Sequence, residues 1–256
     1  MKIVTLNAWG GRMKDRFSGF FNRYRDVDLW LFQEVYNSKK EEEFVAIGGY
    51  EKPDFSLNQT LSALLTPYKD YFCPTFRDIY GLSAFMRPDI KVISFGEALV
   101  ARGDWHGGDY DGKGDHNRKL QWLEIEMKGK SLLVLNAHLT HRPEGKGDSS
   151  KRLLQSEAIV RFMSLFDCPK ILMGDFNLLP DTESIRVIER AGMRNLIKEY
   201  GIASTRTEVY KKPHRFADYV FVSEDIEVKD FKVLPDVVSD HSPVYLDFEI
   251  GQRKAA

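Results

Sequence analysis

The residues best suited to chemistry stand at the ends of apolar runs. In "KILMGDFNLLPD" (170–181), Ile171, Leu172 and Met173 lead through Gly174 to Asp175, Phe176 and Asn177. Side chains two apart on a strand face the same way, so Asp175 and Asn177 can address one site. "VLNAHL" sets Asn136 and His138 in the same relation. Asn7 closes "TLN", Glu34 closes "LFQE", Asp218 stands at the start of "DYVFV", and Asp240 and His241 come just before the last apolar run. Carboxylates, amides and imidazoles without cysteine are hard donors, suited to Mg²⁺ or Mn²⁺ rather than structural zinc. Histidines beside such an ion can stabilise charge developing on a phosphoryl group or serve a leaving group.

Each of these residues alone has a plainer explanation. Asn7 can be a turn residue, Glu34 a strand-end charge, and His138 a satisfied core histidine. "SDHSP" can be a turn closed by Ser239 or Asp240. Recurrence of one residue class at six strand ends favours the chemical reading.

The elements that must position them alternate between strand and helix. Strand-like runs are "KIVTL" (2–6), "VDLWLFQEV" (27–35), "YFCPTF", "GLSAFMR", "KVISF", "ADYVFVS", "VKDFKVL" and "SPVYLDFEI". "LQWLEIEMKGKSLLVLNAHL" (120–139) reads as a hairpin turning at Lys128-Gly129-Lys130. Helical spacing appears over 15–25, 56–68, 149–166 and 182–192, with Ser56 and Thr182 as N-caps and Gly192 as a stop. Many short strands with helices between them predict an α/β fold of two packed sheets with outer helices. One domain over 1–250 and a loose tail over 251–256 are expected.

Composition narrows the classes. An apolar content of 43% with 12% aromatics supports a large core, which argues against disorder. A net charge of -1 does not fit a binder coated in positive charge. Cys73 and Cys168 match no metal-ligand spacing and read as free thiols. No leader or long apolar run is evident, so a cytoplasmic, monomeric protein without a membrane segment is expected.

The ordered set Asn7 in "TLNAW", Glu34 in "FQEV", His138 in "NAHL", Asp175 and Asn177 in "GDFN", Asp218 in "ADYVFVS" and Asp240–His241 in "SDHSPV" resembles the endonuclease/exonuclease/phosphatase superfamily. The resemblance spans residues 3 to 248 and implies a four-layer α/β/β/α sandwich of two mixed sheets. It also implies roles. Glu34 is the principal metal ligand, helped by Asn7, with Asp240 as a second contact. Asp175 orients and deprotonates the attacking water, and Asn177 holds Asp175 and touches the phosphate. His241 donates to a non-bridging oxygen, oriented by Asp218, and His138 faces the phosphate or leaving group. Mg²⁺ is the implied cofactor, with Mn²⁺ as a substitute.

The resemblance fixes chemistry rather than substrate. The stretch before Asp218 lacks the tryptophan pair expected of abasic-site enzymes. The opening Asn-Ala-Trp-Gly is nearer to sphingomyelinases, whose export signals are missing here. The dense basic cluster expected of an inositol phosphatase is also missing. Basic groups on the predicted rim, among them Arg118, Lys146, Arg152, Lys212 and Arg215, suit a phosphodiester backbone, although they can equally be solvated surface charges. The stretch 102–119 holds five glycines and reads as a substrate-side loop. There Trp105 or Tyr110 can stack on a base. Its "DYDGKGD" lacks two acids of a calcium loop, at Lys113 and Leu120. The reading is a metal-dependent nuclease acting on DNA or RNA, with Arg118 and Arg152 as further substrate contacts. The alternative is a phosphoesterase acting on a lipid headgroup or small metabolite.

Overall fold

The computed structural model describes residues 1–38, 52–103, 116–141 and 145–251. In chain order it forms β1 (Lys2–Asn7), α1 (Phe17–Arg23), β2 (Leu29–Tyr36), α2 (Leu57–Leu64), β3 (Lys69–Phe76) and β4 (Tyr80–Met86). There follow β5 (Val92–Ala101), β6 (Arg118–Met127), β7 (Lys130–His138), α3 (Ser150–Met163), β8 (Lys170–Asp175), α4 (Glu183–Arg190), β9 (Met193–Asn195) and α5 (Leu196–Glu199). The last strands are β10 (Asp218–Ser223), β11 (Ile226–Val233) and β12 (Val244–Ile250). Two six-stranded mixed sheets result, in the orders β11-β12-β1-β2-β4-β3 and β5-β6-β7-β8-β10-β9. They pack face to face with helices outside, as the α/β sandwich reading expects.

The two-residue period of the strands builds the layers. Along β1 and β2, Ile3, Leu29 and Leu31 enter the central core, while Val4, Leu6, Trp30 and Phe32 face outward. The outward set buries Phe17, Phe20 and Phe21 of α1 and Leu57 and Leu61 of α2. Each such side chain contributes about 1.5–3 kcal/mol by leaving water. Ile159 and Met163 of α3 and Ile185 and Ile188 of α4 join the apolar layer of the second sheet.

Helix starts differ from expectation in their partners. Ser56 and Thr182 stand at N-cap positions, but neither side chain caps. Asp54 accepts from Ser56 N at 3.0 Å. Asp148 accepts from the backbone of Glu183 and Ser184 at 2.7 and 2.9 Å. A carboxylate answers the helix dipole better than a hydroxyl does. The predicted hairpin is present, with Met127 paired to Lys130 around Lys128 and Gly129, both at positive φ. Trp105, Tyr110 and nearly all of the C-terminal tail lie outside the described residues.

Strand register sets three of the chemical residues in one row. His138 ends β7 opposite Asp175 of β8, and Asp175 lies opposite Asp218 of β10. Gly174 makes the close approach possible. At φ +135° it passes so near β7 that a Cβ there would lie 2.1 Å from Ala137 O.

Candidate active site

Asn7 extends the inward parity of Ile3 and Thr5, so it reaches across from the first sheet to the row on the second. Its Nδ2 donates to Glu34 Oε1 and to Asp175 Oδ2, both at 2.9 Å. Glu34 breaks the parity of β2. A register shift between Phe32 and Val35 accompanies a φ of +56° at Glu34, and this bulge turns the carboxylate into the cleft. Trp9 and Asn177, also cleft residues, share the left-handed conformation at φ 50° and 55°. Each such position costs on the order of 1–3 kcal/mol, and strain of this kind collects at functional sites.

Around Asp175 the groups converge. His138 Nε2 lies 3.8 Å from Asp175 Oδ2 and 3.9 Å from Glu34 Oε1, and His241 Nε2 lies 3.6 Å from Asp175 Oδ2. Asn177 N donates to Asp175 Oδ1 at 2.9 Å. His241 Nδ1 lies 2.9 Å from both Asp218 oxygens, and Ser239 Oγ accepts from His241 N at 3.2 Å. Burial pushes Asp175 up. His241, His138, Lys146 and Arg206 more than offset it and hold the carboxyl well below its usual range. Burial pulls His241 down, but Asp218, with Asp240 and Asp175, brings it above its ordinary 6.5. Burial raises Glu34 above 4.5, opposed by the Asn7 hydrogen bond.

The donor set fits a divalent cation. Ligand atoms of Glu34, His138 and Asp175 lie within 4.8 Å of one another. The Glu34 carboxylate is raised in pKa by burial, and a hard cation would reverse that penalty. Asp175, Asp218 and His241 form a second such cluster, but there both Asp218 oxygens already face His241 Nδ1. Asp240 lines the cleft with its Oδ2 held 2.7 Å from Arg206 Nη1, while Oδ1 lies 3.9 Å from His241 Nε2.

The cleft is about 340 Å³ in volume. Arg118, at the start of β6, lines it, as do His141, Tyr210 and Lys212. Arg152 does not. It is 1% exposed, and its guanidinium donates to the carbonyls of Thr140, His141, Gly145 and Gly147. A helix face that looks basic in sequence is here spent on loop carbonyls. Asn136 is likewise internal, joined to Gln33, Gln121 and Phe32 O between the sheets. Lys146, expected on the rim, is 7% exposed and donates to Asn177 Oδ1 at 2.8 Å. Sequence reasoning missed Arg206 and Tyr36 as cleft residues. A larger hollow of about 630 Å³ lies at the opposite ends of the strands, lined by Lys170, Arg194, Ser223 and Ile226.

The model of the Endonuclease/Exonuclease/phosphatase family matches residues 4–241. The chain belongs to this family. No curated protein matches it in sequence. Among solved structures, a mannosyl-6-phosphatase from Bacteroides thetaiotaomicron superposes at TM-score 0.73 with 16% identity, covering 97% of this chain and 99% of that one. D. rerio TDP2 complexed with single strand DNA product gives 0.70 and 14%, covering 97% and 98%. The human Nocturnin catalytic domain with bound sulfate anion gives 0.69 and 16%, covering 97% and 93%. At these identities the likeness carries the fold. Family membership supplies the reaction class, hydrolysis of phosphoester bonds, in a family generally dependent on a divalent metal. No helix among the described residues is long and apolar enough to cross a membrane.

Proposed function

We propose that the chain is a Mg²⁺- or Mn²⁺-dependent phosphodiesterase that hydrolyses nucleic acid. The observation carrying this reading is the pairing of guanidinium with aromatic ring on the cleft walls. Arg12 lies over Trp9 at 5.3 Å and Arg206 over Tyr210 at 4.2 Å, and all four residues line the cleft. Phosphates call for the cations, and bases stack on the rings. TDP2, of the same fold, was solved with a single strand DNA product, which agrees with that chemistry.

Glu34 would hold the ion with Asn7 and Asp175 beside it, and the ion supplies Lewis-acid polarisation of the phosphoryl oxygens. Asp175, ionised throughout the physiological range, accepts a hydrogen bond from the attacking water and aligns it. Asn177 N and Asn7 Nδ2 hold this carboxylate in place, so that it can align the water. That suffices for a loose phosphoryl transition state, in which positioning and charge stabilisation dominate. His241, its Nδ1 held by Asp218 and its pKa raised above the ordinary value, donates in its protonated form to a non-bridging oxygen. His138, on the same row, faces the phosphate or the leaving oxygen.

A second reading has its own support. At about 340 Å³ the cleft sits at the small end of ligand pockets, a size suited to one phosphorylated sugar or headgroup. The mannosyl-6-phosphatase shares the fold. One experiment separates the two. Single- and double-stranded DNA and RNA, a model diester and a sugar phosphate are incubated with Mg²⁺ or Mn²⁺ and the wild-type, Glu34→Ala or His241→Ala protein. Polymer cleavage that both changes abolish, weakening steeply with salt, supports the nuclease. Hydrolysis of the sugar phosphate with polymers intact supports the second reading.

A further inference from the structure

Of Arg152, Arg206 and Arg215, two are spent on the backbone. Arg152 donates to four loop carbonyls. Arg215 donates to those of Tyr210, Arg206 and Thr207. Arg206 differs. Its backbone is bridged to His241, and its side chain lines the cleft while only 5% exposed. Nη1 meets Asp240 Oδ2 at 2.7 Å, and the plane covers the Tyr210 ring at 4.2 Å. Nε is buried and has no hydrogen-bond partner among the described residues.

Burying a guanidinium is costly unless its donors are met, and a single carboxylate meets few of the five. A purely structural arginine, like Arg152, spends both of its terminal nitrogens on backbone carbonyls, whereas Nη1 of Arg206 meets a carboxylate that itself lines the cleft. What remains at Arg206 is a fixed planar cation on the cleft wall, clamped by a carboxylate on one side and a ring below. Such a fork suits phosphate oxygens better than a mobile lysine does.

We propose that Arg206 is a catalytic residue that binds a non-bridging phosphate oxygen beside His241, with Asp240 and Tyr210 as its positioning residues. The assignment rests on the cleft being a phosphoesterase site and is independent of whether the substrate is a polymer. It also gives Asp240 a job other than the metal contact that the family resemblance implies.

The test uses the full chain with Arg206→Met and Arg206→Lys. Binding of inorganic phosphate is followed by calorimetry, and turnover of bis(p-nitrophenyl) phosphate with Mn²⁺ is followed alongside the melting temperature. For Arg206→Met we expect kcat/KM to fall about 10²–10³-fold, the range for removal of one preorganised donor. Phosphate affinity should fall at least about tenfold, with Arg206→Lys recovering part of both through its charge alone. Phosphate bound by Arg206→Met as tightly as by wild type would overturn the assignment, as would wild type that binds no phosphate. Should Arg206→Met fail to fold, Arg206→Lys decides. Weaker phosphate binding at an unchanged melting temperature supports the role, and unchanged binding overturns it. If every nucleic acid stays intact while the model diester shows these losses, the nuclease reading fails and Arg206 stands. Polymer cleavage with phosphate binding indifferent to Arg206 is the reverse result.

Discussion

Lys146 Nζ lies 2.8 Å from Asn177 Oδ1, and this bond decides which way the Asn177 amide points. An ammonium can only donate, so the amide oxygen must face it. Nδ2 is then directed toward Leu139 O at 3.3 Å, with a second proton left to offer a ligand. The same residue donates its backbone N–H to Asp175, so the amide and the carboxylate are set by one local conformation.

Replacing Lys146 with Met should therefore lower kcat by about 10–100-fold, the usual cost of losing a group that orients a catalytic neighbour. Burial also pulls the Lys146 pKa down to about 8 from 10.5. Between those values the unfolded chain holds a proton that the folded chain has lost, so Lys146's contribution to stability rises with pH over that window. Denaturant midpoints measured from pH 7 to 10.5 should show wild type gaining on Lys146→Met as pH increases. A constant difference would mean that Lys146 is not buried as a strained cation.

Asp218→Asn tests the pair at His241. Burial alone would depress the imidazole, and Asp218 is the largest influence raising it. The protonated form persists below the raised pKa and is lost as pH rises through it. Removing the carboxylate should shift that loss to lower pH and cut kcat at pH 7.5 by about 10²–10⁴-fold. A pH–rate profile that falls in height without moving would assign Asp218 to packing instead.

Glu34→Gln separates the ion's effect from the carboxylate's. The folded-state pKa of Glu34 is raised, so its stabilising share is complete below 4.5 and disappears as pH rises through the folded value. At neutral pH without an ion, the ionised group is a liability. The Gln variant should melt higher than wild type in chelator, yet lose the rise that Mn²⁺ gives wild type. That rise corresponds to about 2.7 kcal/mol at a hundred times the dissociation constant. Equal Mn²⁺ shifts in both proteins would remove Glu34 from the ion site.

The two-residue period made the sheets readable, and it carried Asn7, His138, Asp175 and Asp218 to strand ends where register could align them. It failed where the backbone leaves that period. By parity with Trp30 and Phe32, Glu34 should point outward, and only the bulge at φ +56° turns it in. Asn136 obeys the same parity as His138, yet it lies one step deeper, where amides join the sheets rather than face solvent. The cations around the cleft loops were the least legible. Lys146, Arg152 and Arg206 look alike in sequence, but one orients an amide, one holds carbonyls and one lines the cleft. For Lys146 and Arg206 the difference arises from partners 31 and 34 residues away, which no local pattern encodes.

Arg152 yields the sharpest stability prediction. It sits three residues before Gln155 on α3, and both side chains turn under the loop that carries Lys146. Gln155 Oε1 accepts from Thr140 N at 3.2 Å, while Arg152 Nη2 reaches Thr140 O at 2.8 Å and Gly145 O at 2.6 Å. Arg152→Met leaves those buried carbonyls unmet and should cost about 3–5 kcal/mol, read from the shift in denaturant midpoint. Arg152→Lys should rescue little, because one ammonium cannot span carbonyls that a planar fork holds together. At a temperature where the variant remains folded, its KM for a model diester should match wild type, since the guanidinium does not line the cleft. A raised KM without loss of stability would return Arg152 to the substrate-binding role that its sequence context suggests.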